Sequence, residues 1–418
     1  MSLQTALTGL TVAQIGIDTT SNNLANADTT AYKNETSLFE SIFPQEGSND
    51  DVPGIGAEVE GMSTNLTQGS LNATGDSLDA GIQGNGYFVV SSNGVQQYTR
   101  DGAFQLSSTG QIETLNGSIV QGYQNVNGAL SSSLGPITIN TGSVPATATS
   151  NVSMSLNLNS STSVPTVSTF DPSNSSSYNN STSVIAYDSQ GNANHIQLYT
   201  VYGGATGGVG TWNVYAVPEN SSGQQIDPST GKPVSGTQTY TPLTTLSFNS
   251  NGALTSGATA GTMAVTWPGQ STASNIAFNF TGTTSQSQSF AVTGLTNDGS
   301  APGSYSGVSI SSDGSVMASY TNGQTVSEGK ISLATFLNPG SLTPITGNLY
   351  EANGNSGQAV VGQAGAGQAG TLAGGELEAS NVSTSSMLVS LIQYQQAYEA
   401  NTSVIQTEQQ DSQRLLQI

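Results

Sequence analysis

Residues 1–33 read MSLQTALTGLTVAQIGIDTTSNNLANADTTAYK, and this segment carries the strongest structural pattern of the chain. Large apolar side chains recur in it every seven residues, with alanines at intervening positions: Leu3, Ala6, Leu10, Ala13, Ile17 and Leu24. A repeat of about 3.5 residues is typical of a helix that packs along one seam, and small alanines allow a partner helix to approach closely. The sequence therefore predicts a helix over residues 1–24 that requires a partner.

A second helical pattern lies in residues 377–418. Apolar side chains repeat there at helical spacing: Met387, Leu391, Tyr394, Tyr398 and Ile405. Ser380 or Asn381 is the expected N-cap, and no Gly or Pro interrupts the stretch that follows. Both helical segments carry almost no charge, so we expect them to pair and to bury their second faces against neighbouring copies. The alternative is a helix pair that caps a monomeric β protein.

The region between the two helices reads as strands and turns. From Ser70 the alternation has a period of two, Asn93-Gly94 indicates a hairpin, and a second strand-rich region begins at Ser183. Such regular patterns argue against a disordered, low-complexity chain. The predicted fold is mainly β with paired terminal α-helices and stacked β domains inserted between them. The predicted domains are a terminal helical domain (1–30 and 377–418), an extended connector (31–72 and 353–376), a first β domain (73–145 and 296–352) and a second, outer β domain (146–295).

The composition excludes several kinds of partner. The chain of 418 residues has a net charge of −21 from 26 acidic and five basic residues, and only 7% of its residues are charged. Phosphate recognition requires clustered Lys and Arg, so we expect no nucleic-acid partner and no binding to an anionic membrane surface. There is no cysteine, which excludes disulfides and thiolate sites.

The pattern of hydrophobic residues predicts no membrane segment. No run of about 18 apolar residues occurs, and residues 1–5 lack the positive charge and following apolar core of a cleaved signal peptide. If the protein leaves the cell, we expect a route that reads an uncleaved N-terminus.

Catalytic and ligand-binding motifs are weak. Gly81, Gly84 and Gly86 precede a strand instead of linking a strand to a helix, which contradicts a dinucleotide site. His195 is the sole histidine, no Gly-x-Ser-x-Gly elbow occurs, and we expect it to be a half-buried strand residue. Acidic turns such as Asp188–Asn192 lack calcium-loop spacing. We therefore expect no enzyme, cofactor or metal site, although paired acids for glycoside hydrolysis are not excluded by sequence.

The motifs at both ends resemble the bacterial flagellar rod–hook family of axial proteins. Residues 21–33 are similar to its N-terminal Asn-Asn-Leu-Ala-Asn signature, and residues 375–382, with Tyr394, Tyr398 and Asn401, are similar to its C-terminal signature. Internal matches lie at 84–90, 98–104, 320–324 and 333–339. The chain departs from the family pattern at three positions: Ala31 stands for a usual Gly, Ser383 for a common Asp and Gln396 for a frequent Arg.

The resemblance implies a structural subunit of a helical homopolymer. In this family the tube links rod to filament as a flexible universal joint and transmits torque for motility. The implied partners are further copies of the chain, a distal rod protein, a hook cap, a hook-length control protein, hook–filament junction proteins and the flagellar type III export apparatus. The implied location is the extracellular hook of the flagellum. The outer domain at 146–295 favours the hook branch; a distal-rod protein of the same family or a secreted β-rich adhesin is the alternative.

The helical patterns and the two terminal motifs together predict the subunit-assembly residues. These are Leu3, Leu10, Ile17, Asn22, Asn23, Leu24, Asn26, Leu377, Ser380, Asn381, Leu391, Tyr394, Tyr398, Asn401 and Ile405. One seam of Leu and Ala buries too little surface to offset the entropy of ordering two helices. We therefore expect both ends to be disordered in the free monomer.

Overall fold

The computed structural model describes residues 3–43, 54–206, 209–236 and 238–415. A long helix lies at each end of this part of the chain, α1 (Leu3–Ala25) and α2 (Thr384–Leu415), and strands fill the region between them. The predicted fold class, mainly β with paired terminal helices, is therefore confirmed. Helix α2 begins at Thr384, several residues later than an N-cap at Ser380 or Asn381 would place it.

Eleven strands follow α1 within the described residues up to 141. They are β1 (Glu35–Ile42), β2 (Gly56–Thr64), β3 (Leu71–Ala73), β4 (Ala80–Gln83), β5 (Tyr87–Ser92), β6 (Val95–Thr99), β7 (Phe104–Leu106), β8 (Ile112–Thr114), β9 (Ile119–Val126), β10 (Ala129–Leu130) and β11 (Gly135–Pro136). Strands β1 and β2 form a separate antiparallel hairpin. The predicted Asn93-Gly94 turn joins β5 to β6; both residues have positive φ, 51° and 82°, as a two-residue hairpin turn requires.

Nine further strands build two sheets. They are β12 (Asn151–Asn157), β13 (Asn180–Tyr187), β14 (Ala193–Thr206), β15 (Val209–Glu219), β16 (Thr244–Phe248), β17 (Leu254–Ser256), β18 (Thr259–Val265), β19 (Ser274–Asn279) and β20 (Ala291–Asn297). Their orders are β13-β14-β15-β16-β17 and β18-β19-β12-β20. Alternate residues of both sheets form one buried core, which contains Trp212 and Trp267. His195 lies half-buried on β14, as predicted.

Eight more strands follow in the described part of the chain: six join the sheet that β5, β6 and β9 begin, and the last two pair separately with β4 and β3. They are β21 (Tyr305–Ile310), β22 (Ser315–Tyr320), β23 (Thr325–Thr335), β24 (Thr343–Ile345), β25 (Leu349–Glu351), β26 (Val360–Gln363), β27 (Thr371–Gly374) and β28 (Glu376–Glu378). The main path of this sheet is β21-β22-β23-β9-β5-β6-β25-β24. Its aromatic core includes Tyr87, whose ring meets those of Phe336 and Tyr350 edge-on at 5.8 and 5.6 Å.

Contacts divide the chain into two compact units. One comprises residues 1–141, 306–319 and 325–418, and the other residues 142–305 and 320–324. The finer division into four domains stays a prediction.

The segments predicted as connectors contain paired strands. Residues 31–72 include the β1–β2 hairpin and the first residues of β3, and residues 353–376 include β26 and β27, which pair with β23 and β4.

Candidate assembly site: the terminal helix pair and its junction

Helices α1 and α2 form an antiparallel pair. Gly9 lies against Asn401, Gly16 against Tyr394, and the Asn23 amide reaches the Met387 sulfur at 3.9 Å. The contacting positions advance by seven residues on α1 and retreat by seven on α2, so one heptad register runs through the contact. A Cβ built on Gly16 would lie 2.5 Å from two atoms of the Tyr394 ring. The helices therefore approach as closely as these glycines allow.

Small residues, and not the large ones, make the centre of this contact. Ala6, Ala13 and Gly16 are buried on α1, whereas the larger side chains of the predicted seam flank the contact. Of these, Leu10, Ile17 and Leu24 are half-buried and Leu3 is 47% exposed. On α2 the predicted residues Leu391, Tyr394, Tyr398, Asn401 and Ile405 are half-buried. The alanine positions were thus correctly interpreted as allowing close approach, and the glycines were missed.

The predicted N-cap of α2 is wrong. The helix begins at Thr384, and Leu377 belongs to strand β28, where it pairs with Asn72. Asn381 cannot cap because its side chain is used elsewhere: its Oδ1 accepts from Asn34 N at 2.8 Å, and its Nδ2 donates to the carbonyl oxygens of Asn65 and Thr67. Among the described residues, the Ser380 hydroxyl accepts a hydrogen bond from Val382 N alone, at 3.3 Å.

Asn23 joins the end of α1 to strand β1. Its Nδ2 donates to Glu35 O at 2.7 Å, and its Oδ1 accepts from Glu35 N at 2.9 Å and from the Tyr32 hydroxyl at 3.0 Å. The buried Asn23 side chain thus provides hydrogen-bond partners for both the N–H and the C=O group of Glu35. Asn22 and Asn26 lie on the outside of the same turn and bond to each other. In this structure the Asn residues of both terminal motifs make contacts within the chain.

We predict that Asn23→Ala weakens this junction. It removes three hydrogen bonds and leaves the Glu35 N–H and C=O without partners, which costs about 1–3 kcal/mol for each buried group. The Glu35 amide and the amides of β1 should exchange with deuterium at least tenfold faster. Asn22→Ala is the matched control because Asn22 is exposed. Equal exchange in the two variants would contradict this role of Asn23.

Ala31 adopts a conformation that suits glycine. Its φ is +58°, in the left-handed region, and its buried N–H donates to Glu378 O at 2.7 Å. The usual Gly of the resembling family would adopt this backbone without a Cβ penalty. The turn is therefore retained with alanine in a left-handed conformation, which is strained backbone for a residue that has a Cβ.

A buried ionic cluster lies directly beside this turn. The Glu378 carboxylate accepts from Lys33 Nζ at 2.6 Å and from Arg100 Nε at 3.0 Å, and the three side chains are 0%, 1% and 7% exposed respectively. Gly69 N also donates to Glu378 Oε1, at 2.9 Å. We call Lys33, Arg100 and Glu378 the junction triad. It joins three segments that are remote in sequence: the end of the N-terminal motif, the β6–β7 turn and strand β28.

The triad contains two cations and one anion, and backbone carbonyl groups accept a further hydrogen bond from each cation. Lys33 Nζ donates to Thr67 O at 2.8 Å and Arg100 Nη2 to Gly84 O at 2.9 Å. The Arg100 guanidinium also lies 5.8 Å from the centre of the Tyr87 ring. Burial lowers the pKa of Lys33 below its usual value, although the Glu378 carboxylate opposes that change. Two of the five basic residues of the chain are therefore enclosed and unable to attract an external anion.

The sequence motifs contain all three residues of the junction triad, but the sequence alone did not indicate that these residues meet. Lys33, Arg100 and Glu378 each lie in a stretch that resembles the flagellar family. The scarcity of charged residues was the signal that could have found the triad. Only 7% of the residues are charged, so charged side chains within the family motifs indicate a specific role. No cluster of three or more His, Cys, Asp or Glu side chains suited to a metal occurs among the described residues. Within the same ranges, neither helix combines the length and apolar character needed to cross a bilayer.

Comparison with known families gives matches over residues 3–33, 81–300 and 373–418. Residues 3–33 match the flagella basal body rod protein family, residues 81–157 the D1 domain of flagellar hook protein FlgE/F/G, residues 157–300 the flagellar basal body protein FlaE D2 domain, and residues 373–418 the C-terminal domain of the FlgEFG rod proteins.

Whole-chain relatives agree with these matches. The flagellar hook protein FlgE of Salmonella typhimurium is 35% identical over 422 residues, covering 98% of each chain, and that of Escherichia coli is 34% identical with the same coverage. The crystal structure of Helicobacter pylori flagellar hook protein FlgE2 covers 73% of this chain and 99% of its own at a TM-score of 0.52. At 15% identity, that last likeness supports the fold. The chain belongs to the flagellar hook protein FlgE family, a structural family of the bacterial flagellum.

Proposed function

We propose that this hook subunit assembles with copies of itself through the outward face of the terminal helix pair. The observation that carries the proposal is the apolar character of that face. Leu7 on α1 and Leu388, Val389 and Ile392 on α2 are each about half exposed, between 48% and 56%. Exposed apolar side chains on adjacent turns of a helix are typical of a protein interface. The assembly is a tube that joins rod to filament and bends while it transmits torque.

The terminal helices and the strand-rich regions have different surfaces, and we propose that they have different roles in the tube. The helices offer apolar side chains, whose burial is stable and non-directional. The β units offer mainly hydroxyl and amide groups, which exchange hydrogen bonds with water at little net cost. We infer that the helices hold the tube together while the outer surfaces slide as each protofilament lengthens and shortens.

The remaining parts of the proposal come from the family. We propose that the subunit contacts a distal rod protein, a hook cap, a hook-length control protein and hook–filament junction proteins, and leaves the cell through the flagellar type III apparatus without signal cleavage. The predicted assembly residues Leu3, Leu10 and Ile17 flank the helix contact, where a neighbouring copy would cover them. The structural family gives no reason to assign it a reaction.

The test compares two adjacent exposed residues of α2. Ile392→Lys places a charge in the apolar face and should abolish tubes in electron micrographs of the purified protein, or raise the assembly concentration at least tenfold. Gln393→Lys adds the same charge at the neighbouring exposed position. This control should change the assembly concentration less than threefold. In the unmodified chain, amides of α1 and α2 should exchange rapidly in the monomer and slowly in tubes. Tubes of Ile392→Lys with normal assembly would contradict the proposal.

A further inference from the structure

The second compact unit contains a strand that is exposed along its whole length. Strand β20 lies at one edge of the sheet β18-β19-β12-β20, and all seven of its residues are exposed. Val292 and Leu295 are its large apolar side chains, 39% and 43% exposed. They pair with Leu156 and Met154 of β12, which belong to the buried core. Because paired residues share a face, the apolar face of the sheet continues past the core onto β20.

This edge lacks the charged and proline residues that usually protect against pairing with another chain, although a β-bulge interrupts its own pairing with β12 between Ser155 and Leu156. Edge strands carry free N–H and C=O groups, and proteins normally guard them with lysine, other charges or proline. Residues 291–297 read AVTGLTN and contain none of these. Two copies of a chain with a net charge of −21 repel each other generally. An uncharged strip is therefore where copies can approach at the lowest electrostatic cost.

The opposite edge of the same sheet carries a complementary feature. Strand β18 reads TAGTMAV, again without charge or proline. Beside it lies a cavity of about 300 Å³, whose apolar lining includes Pro218, Pro228, Tyr240, Leu243, Met263 and Ala264. None of the described residues that line this cavity is charged. The sheet thus presents exposed apolar side chains at one edge and an uncharged cavity of mixed polar and apolar lining at the other.

We propose that β20 of one copy docks beside β18 of the next copy, with Val292 and Leu295 entering the cavity. This inference rests on the proposed self-assembly. Since the two features lie on opposite edges, the contact is head-to-tail and repeats from copy to copy, as an open helical polymer requires. One strand and two apolar side chains bury far less than the roughly 1,000 Å² of a stable interface. The contact therefore forms only between copies that the helices already hold together, and it is weak enough to open and re-form as the outer surfaces slide.

The absence of cysteine permits a direct test. The double variant Leu295→Cys, Met263→Cys places both thiols on the core-facing side of the sheet; it is assembled under reducing conditions and then oxidised. Within one molecule the two positions lie on the outer strands of a four-stranded sheet, roughly 14 Å apart by strand spacing, and a disulfide spans at most about 7 Å between Cα atoms. Any disulfide therefore joins two copies. We expect a ladder of covalent oligomers from tubes, and none from free monomer or from tubes of either single variant.

Two outcomes would overturn the inference: tubes of the double variant without a ladder, or covalent dimers from Leu295→Cys alone, which would indicate a two-fold contact. Leu295→Lys gives a second measurement that needs no disulfide. Its monomer should unfold as the unmodified chain does, and its tubes should dissociate at least threefold faster than those of Val164→Lys, a control at another exposed valine of this unit. Equal dissociation rates would also overturn it. Failure of the unmodified chain to form tubes would instead contradict the proposed function.

Discussion

Glu378→Gln should lower the thermal unfolding midpoint of the unit that holds the junction triad by about 6 °C or more. The substitution leaves Lys33 and Arg100 buried without a counter-charge, and removing one partner of a buried ionic group costs about 3–5 kcal/mol. For a unit of this size, each kcal/mol corresponds to roughly 2–4 °C. The glutamine amide would also present a second donor to Arg100 Nε, which now donates to Glu378 Oε2 at 3.0 Å.

The chain supplies its own internal reference for this measurement. Both tryptophans, Trp212 and Trp267, belong to the buried core of the second unit. Tryptophan fluorescence should therefore report an unchanged unfolding midpoint for the second unit. Far-ultraviolet circular dichroism should report the lowered midpoint of the unit that holds the triad. Glu376→Gln is the matched variant on the same strand, since Glu376 forms no ion pair among the described residues. Equal midpoints for the two variants would show that the triad does not stabilise the junction.

Gly16→Ala should weaken tube assembly although alanine favours helices. Helix propensity alone predicts a gain of about 1 kcal/mol from this change. The added Cβ, however, would lie 2.5 Å from the Tyr394 ring, and overpacking of this kind costs about 1–3 kcal/mol. The α1–α2 contact must open or shift to accommodate it. We expect the concentration required for assembly to rise, by about tenfold for each 1.4 kcal/mol lost.

The sign of the Gly16 effect separates packing from propensity. Ser21→Ala changes an exposed residue of the same helix and should leave assembly unchanged or improve it. Tyr394→Ala combined with Gly16→Ala restores the space and should recover part of the loss. Assembly of Gly16→Ala at a lower concentration than the unmodified chain would refute the close-packed contact.

Local patterns in the sequence predicted the features that local forces determine. The seven-residue repeat predicted α1, and Asn93-Gly94 predicted the β5–β6 hairpin, because each depends on neighbouring residues alone. The contacts of Gly9 and Gly16 were not predicted, since glycine in a helical pattern reads as a weak helix former until its partner is known. The late start of α2 was missed for a related reason: Asn381 is engaged by Asn34, Asn65 and Thr67, which are distant in sequence.

The junction triad also sets the order in which the molecule can close. Lys33 and Glu378 are separated by 345 residues, and Arg100 and Glu378 by 278. Contacts between such distant positions form slowly, because the intervening polypeptide must first be brought together. In the proposed export, residue 33 leaves the apparatus before residue 378, so the triad cannot form until the later segment has emerged. Such export therefore implies that the junction closes only after nearly the whole subunit has left the apparatus.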